Sequence, residues 1–170
     1  MQNADTAGAP GRPALGSGSG PAAGIINTEA SHMMLTLTVA GQLCAVPVLS
    51  VRDVLGVQTI TRIPLAPREV AGSLNLRGRI VTAVDLRSRL GLPPREAATG
   101  AMSVVVELGG ELYSLLADQV GEVLSLHASE RAPNPPTLDT SWREFSLGVH
   151  RQGDKLLVLL DVEQLLALGV

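Results

Sequence analysis

Aromatic side chains are nearly missing from this sequence, with one Phe, one Tyr and one Trp among 170 residues. Three scattered rings cannot build the stacking platform that single-stranded nucleic acids require, and a formal net charge of -3 offers no basic stripe for phosphates. Cysteine is as scarce. Cys44 stands alone, which excludes an internal disulfide and a cysteine-based zinc cage and fits a reducing compartment. Its expected role is that of a small buried hydrophobe. No apolar run approaches the roughly 18–20 residues of a membrane-spanning helix; the longest, Leu156 to Leu160, has the length of a strand. The first residues also lack the apolar core of a secretory signal. A soluble, cytoplasmic protein is expected, without membrane insertion and without a nucleic-acid partner.

The equipment of an enzyme is missing too. His32, His127 and His150 lie in dissimilar contexts without ligand spacing, and no Gly-rich phosphate loop follows a strand and opens a helix, so neither a metal nor a cofactor is expected. Asp85 and Asp161 could be read as a catalytic carboxylate pair. Each, however, stands just before a short helical stretch, where a side-chain acceptor satisfies the first free N–H groups. Helix capping is the stronger reading, and no catalysis is expected.

What remains is a chain rich in Val, Leu, Ile and Ala, with apolar residues at 45%. The β-branched share favours strands over a helical bundle. Residues 1 to about 32 are Gly-, Ala-, Pro- and Ser-rich, the composition of a flexible tail. From Leu35 onward short apolar runs alternate with Gly, Pro and polar breaks: Leu35, Leu37 and Val39 at period two, a turn at Gly41-Gln42, then Val70 to Leu76 and Ile80 to Val84 across Arg77-Gly78-Arg79. Similar runs span Met102 to Leu108, Leu112 to Ala117, Ser146 to Arg151 and Leu156 to Leu160. Only two short helices are expected, Leu86 to Leu90 before Gly91 and Val162 to Leu168 before Gly169, with Gln164 completing a capping box on Asp161.

The strands hide an internal repeat. Gly41, Leu43, Val51, Asp53, Val54 and Leu55 align without a gap on Gly110, Leu112, Val120, Glu122, Val123 and Leu124. The same register pairs Arg62 with Arg131 and Pro64 with Pro133; after an insertion of 7 residues, Gly72, Ile80, Asp85 and Leu90 meet Gly148, Leu156, Asp161 and Leu166. Duplication of one small β-unit explains this shared order. The fold expected is all-β: two small five-stranded β-barrels from a tandem repeat, approximately 35–92 and 102–168, with two short helices. Each copy is too small for a generous core of its own, so the copies should pack on or exchange strands with one another, leaving a groove between them. Arg77 has no counterpart, the second copy having Gly153 in an ordinary turn. It is either a solvated turn residue or an exposed guanidinium suited to a partner's carboxylate.

The string Val70-Ala71-Gly72-Ser73-Leu74-Asn75-Leu76-Arg77-Gly78-Arg79-Ile80-Val81-Thr82-Ala83-Val84-Asp85-Leu86-Arg87 resembles the signature of the CheW family of chemotaxis coupling proteins. Val51-Arg52-Asp53-Val54, Ile60-Thr61-Arg62-Ile63-Pro64, Leu116-Ala117-Asp118-Gln119-Val120-Gly121-Glu122-Val123 and Leu159-Leu160-Asp161-Val162 match further blocks in the same order. The resemblance spans Leu35 to Leu168 and takes in 33–170 as a CheW-like domain. It implies paired five-stranded barrels and an adaptor that joins the cytoplasmic tip of a methyl-accepting receptor to the regulatory domain of the histidine kinase CheA, at receptor arrays. Carried onto this chain, Val51, Asp53, Arg77 and Val120 are the expected receptor or kinase contacts. Val51 and Val120 are also repeat equivalents and so suit a core role equally; Asp53 and Asp118 could be solvated strand-end charges. Alternatives are a coupler of a non-flagellar chemosensory pathway and, from the small β-unit alone, an oligonucleotide-binding barrel.

Overall fold

Tight hairpins set the architecture. Ala40-Gly41, Arg77-Gly78 and Gly109-Gly110 all have positive φ at both positions, the geometry of two-residue turns whose twist matches that of the flanking strands. The computed structural model describes residues 31–96 and 100–168. Within them lie β1 (Ser31–Val39), β2 (Gln42–Pro47), β3 (Val51–Leu55), β4 (Val70–Leu76), β5 (Arg79–Asp85), β6 (Met102–Leu108), β7 (Glu111–Ala117), β8 (Gln119–His127), β9 (Ser146–Gln152) and β10 (Lys155–Leu160). Three short helices accompany them: α1 (Leu86–Arg89), α2 (Thr140–Arg143) and α3 (Val162–Leu165). None is long and apolar enough to cross a membrane. The expected tail falls outside the described residues except for Ser31 and His32, which already pair with β8.

The strands form two five-stranded sheets, β8-β1-β2-β10-β9 and β3-β6-β7-β5-β4. Each sheet joins the first hairpin of one copy to the last three strands of the other. The exchange is reciprocal: β2 meets β10 in parallel in the first sheet, as β7 meets β5 in the second. The all-β fold and the five strands per sheet agree with the sequence reading, whereas closure does not, because the sheets are open and not barrels. The connections 56–69 and 128–145 each touch the neighbouring outer strand through a single bridge, Thr61 to Ser73 and Ala132 to Val149.

These bridges explain two glycines common to both copies. A Cβ on Gly72 (φ +150°) would collide with the Thr61 carbonyl, and one on Gly148 (φ +134°) would lie 2.8 Å from the Ala132 carbonyl oxygen. The bridges also make Thr61 equivalent to Ala132, so part of the second copy's insertion precedes its prolines. The ungapped pairing of Arg62 with Arg131 is thus out of register by two residues.

Alternation along the strands divides the core. Leu35, Leu37 and Val39 of β1 and Val158 and Leu160 of β10 face a central cluster shared with Val84, Val104, Val106 and Leu115 of the other sheet. Met34, Leu157 and Leu159 face a smaller cluster behind the first sheet, and Leu74, Val81 and Val105 face one behind the second. Burial on both faces explains why β10 reads as an unbroken apolar run. Cys44 is buried as expected, and burial, aided by the charge of Asp118, pushes its thiol pKa up. The insertion in the second copy carries α2, which the sequence did not announce; it delivers Leu138, Trp142 and Phe145 to the central cluster.

Candidate functional site

Asp53 and Arg77 come together although their strands lie at opposite edges of one sheet. Asp53 is on β3 and Arg77 is at the tip of the β4–β5 hairpin, yet Arg77 Nη2 is 3.2 Å from Asp53 Oδ2. The sheet therefore curls enough for the hairpin tip to reach the opposite outer strand through this side-chain pair, without pairing of the two strands. A register shift between Val51 and Asp53 on β3 leaves Arg52 as an extra residue, the bend of a β-bulge. Asn75 fixes the hairpin by accepting the Gly78 N–H at 3.0 Å, and Arg77 itself takes the left-handed conformation (φ +51°) that the turn demands. Its side chain is 79% exposed and that of Asp53 24%.

Around this pair lies a shallow cavity of about 160 Å³ lined by Arg52, Asp53, Arg77, Arg79 and Glu107, with Leu112 as its apolar wall. Arg52 Nε donates to Glu107 Oε1 at 2.9 Å, and this hydrogen bond and charge hold the Glu107 carboxyl below the usual range. Three guanidiniums face two carboxylates here, so the patch suits an acidic or hydrogen-bond-accepting partner. The sequence singled out Asp53 and Arg77; it gave no sign that Arg52, Arg79 and Glu107 would share their cavity.

Val51 and Val120 are half-buried against the central cluster, paired across strands with Val106 and Leu37. They lie in different sheets and do not join the Asp53–Arg77 patch. Their strands β3 and β8 are outer strands, however, and each presents an exposed valine nearby, Val54 and Val123. The two edges thus offer apolar surface at equivalent places in the two copies.

Asp118 is not a solvated charge. Arg87 donates to it from Nε and Nη2 (2.6 Å at the shortest), Arg95 Nε donates at 3.1 Å, and the Ala40 N–H donates at 2.7 Å. Burial alone would raise the pKa of this carboxyl, but these hydrogen bonds outweigh it and hold the pKa below the usual carboxylate range. Arg95 also reaches Asp85 Oδ2 at 2.8 Å. Asp85 Oδ1 accepts the Arg87 N–H and Asp161 Oδ1 accepts the Gln164 N–H, so both aspartates are the helix caps that the sequence suggested.

Comparison with known proteins bears on the family and the fold. The CheW-like domain family matches residues 33–169. The chemotaxis protein CheW of Klebsiella aerogenes is 30% identical over 133 residues, covering 78% of this chain and 80% of that protein. That of Helicobacter pylori is 27% identical over 122 residues, covering 72% and 73%. Among solved structures, the scaffolding protein CheW of Thermoanaerobacter tengcongensis superposes with a TM-score of 0.71 at 28% identity, over 81% of this chain and 94% of that one.

Proposed function

This chain belongs to the CheW family, and from that premise we propose that it is a chemotaxis adaptor that couples methyl-accepting receptors to the histidine kinase CheA and brings the kinase under receptor control. It performs no chemistry of its own. The reading places the protein in the cytoplasm, at receptor arrays, with the receptor tip and the kinase's regulatory domain as partners and with no cofactor. What carries it is that the family signature, residues 70–87, folds as one piece, β4, turn, β5 and α1, with the exposed Arg77 at its apex.

Asp53, Arg77, Val51 and Val120 are the proposed contacts. Half-buried valines beside exposed Val54 and Val123 suit the apolar side of a helical hairpin, and the Asp53–Arg77 pair suits the orienting polar contact, since charges fix register more than they add affinity. Coupling then consists of differential contacts that bias a two-state kinase.

The test mixes the protein with a receptor signalling fragment and CheA and reads kinase autophosphorylation. Arg77→Glu should weaken receptor-dependent activation while leaving the melting temperature within a few degrees, because an exposed ion pair contributes only about 0–1 kcal/mol. Full coupling by the folded variant removes Arg77 from the site. Absence of any effect of the wild-type protein on the kinase removes the adaptor reading itself.

A further inference from the structure

Behind the first sheet, an apolar cavity of about 260 Å³ lies beside the point where the described chain begins. Met34, Leu126 and Leu159 belong to the buried cluster on this face, while Leu147 of β9, in the same lining, is 51% exposed. The space is larger than the roughly 150 Å³ of apolar void that admits benzene. β1 starts at its edge: Ser31 pairs with His127 and His32 with Leu126, and His32, Leu126 and His127 all line the cavity.

The sequence just before Ser31 matches this cavity in chemistry. Residues 21–30 read Pro21-Ala22-Ala23-Gly24-Ile25-Ile26-Asn27-Thr28-Glu29-Ala30, in which Ile25 and Ile26 are the only large apolar side chains. They stand six and five residues before Ser31, a tether of roughly 16–21 Å when extended, which far exceeds the spacing between neighbouring strands. Asn27 and Thr28 are residue types that favour a chain reversal, which would bring the pair back over the face on which His32 lies. Glu29 is the only charged residue between Arg12 and His32. Arg131, which lines the cavity, forms no ion pair among the described residues. An acid on the tether and an unpaired guanidinium at the cavity are complementary in charge.

We propose that this cavity is the docking site of the chain's own residues 25–29. Ile25 and Ile26 fill the space between Met34, Leu126, Leu147 and Leu159, and Glu29 pairs with Arg131. A short tether supplies an effective concentration in the millimolar range, so the segment outcompetes a free molecule of similar chemistry. Docking covers the exposed part of Leu147, secures the first residues of β1 and leaves the Asp53–Arg77 patch on the other sheet open. It does not depend on the adaptor reading.

The test places a nitroxide on the full chain through Ala23→Cys. That position alone takes the label, because Cys44 is buried with its thiol pKa pushed up. In NMR spectra the label should broaden the backbone amide resonances of Leu126, Leu147 and Leu159 and leave those of the second sheet sharp. Replacing both isoleucines in the labelled chain, Ile25→Ser with Ile26→Ser, should reduce this broadening about fivefold or more. Leu147→Ser, at a half-exposed position, should do the same, and Glu29→Lys should reduce it about threefold, the size expected of an exposed ion pair. Unchanged second-sheet shifts verify that each variant is folded. Broadening at the cavity no stronger than at the second sheet, or broadening that survives any of the three changes, overturns the proposal. So does equal broadening of isotope-labelled chains mixed with nitroxide-labelled ones, since the occupant is then a second copy.

Discussion

A carboxylate that accepts from two guanidiniums and a backbone N–H cannot be exchanged for a neutral side chain at little cost. Asp118 sits where β7 leaves one sheet and β8 enters the other, and it ties together Arg87 of α1, Arg95 of the following connection and the β1–β2 turn at Ala40. Asp118→Ala leaves two partly buried cations facing each other without their shared anion, and should cost roughly 2–4 kcal/mol in urea denaturation at neutral pH. The pH dependence has a fixed sign. The folded-state pKa of Asp118 is depressed, so its contribution is complete above the unfolded value of about 3.9 and is lost as pH falls through the folded value. The stability gap between wild type and Asp118→Ala should therefore be widest near neutrality and shrink below about pH 4. A gap that stays constant between pH 7 and pH 3 would show that the carboxylate's charge is not what holds this junction. The sequence left Asp118 as a possible solvated charge because its partners are remote in the chain; Asp53 and Arg77 were legible as candidates, but their contact across the curled sheet was not.

At the scale of elements, legibility followed burial. β1, β4, β5, β6, β7, β9 and β10 show alternation or two-sided apolar runs, and the caps of α1 and α3 stand in the sequence as Asp85 and Asp161. β3 and β8 were weakly signalled because they are outer strands, mixing Arg, Asp, Glu and Gly with half-buried apolar residues. α2 has only four residues; it depends on its Asp139 cap and on the burial of Trp142, and the second of these is tertiary. The long connections depend equally on a local device, the approach of a backbone carbonyl to a glycine. Gly72→Ala should cost roughly 2–4 kcal/mol, because the new Cβ meets the Thr61 backbone and the residue keeps a positive φ. Gly148→Ala should cost less, since two of the three nearest atoms belong to the exposed Arg131 side chain, which can give way. Thermal melts of the two variants check the order, and a Gly72→Ala protein as stable as wild type would mean that the Thr61–Ser73 bridge can be released freely.

The exchange of strands governs the whole molecule. A repeat that kept its five strands together would give two sheets able to form separately, each with its own transition. Here the first sheet takes β1 and β2 from one copy and β8, β9 and β10 from the other, the second sheet reverses the arrangement, and the central cluster draws on both. Duplication was visible in the sequence, and so was the need for the copies to share a core. The choice between packing and exchange was not, because strand pairing at this range is set by long-range burial and not by local pattern. Exchange carries a consequence that simple packing does not. Heat or urea should unfold the chain in one cooperative transition, since neither sheet can lose a copy's strands and survive. Divided within the connection between α1 and β6, into residues 1–96 and 97–170, neither piece should show a cooperative melt alone. The first lacks the β6–β7 hairpin that joins β3 to β5, and the second lacks the β1–β2 hairpin that joins β8 to β10. Mixed in equal amounts, the two should recover the β-sheet circular dichroism and a single transition whose midpoint rises with concentration, as for any bimolecular assembly. A cooperative melt from residues 1–96 by themselves, in a monomer, would mean that one copy can complete a sheet unaided and that exchange is not what holds the two halves together.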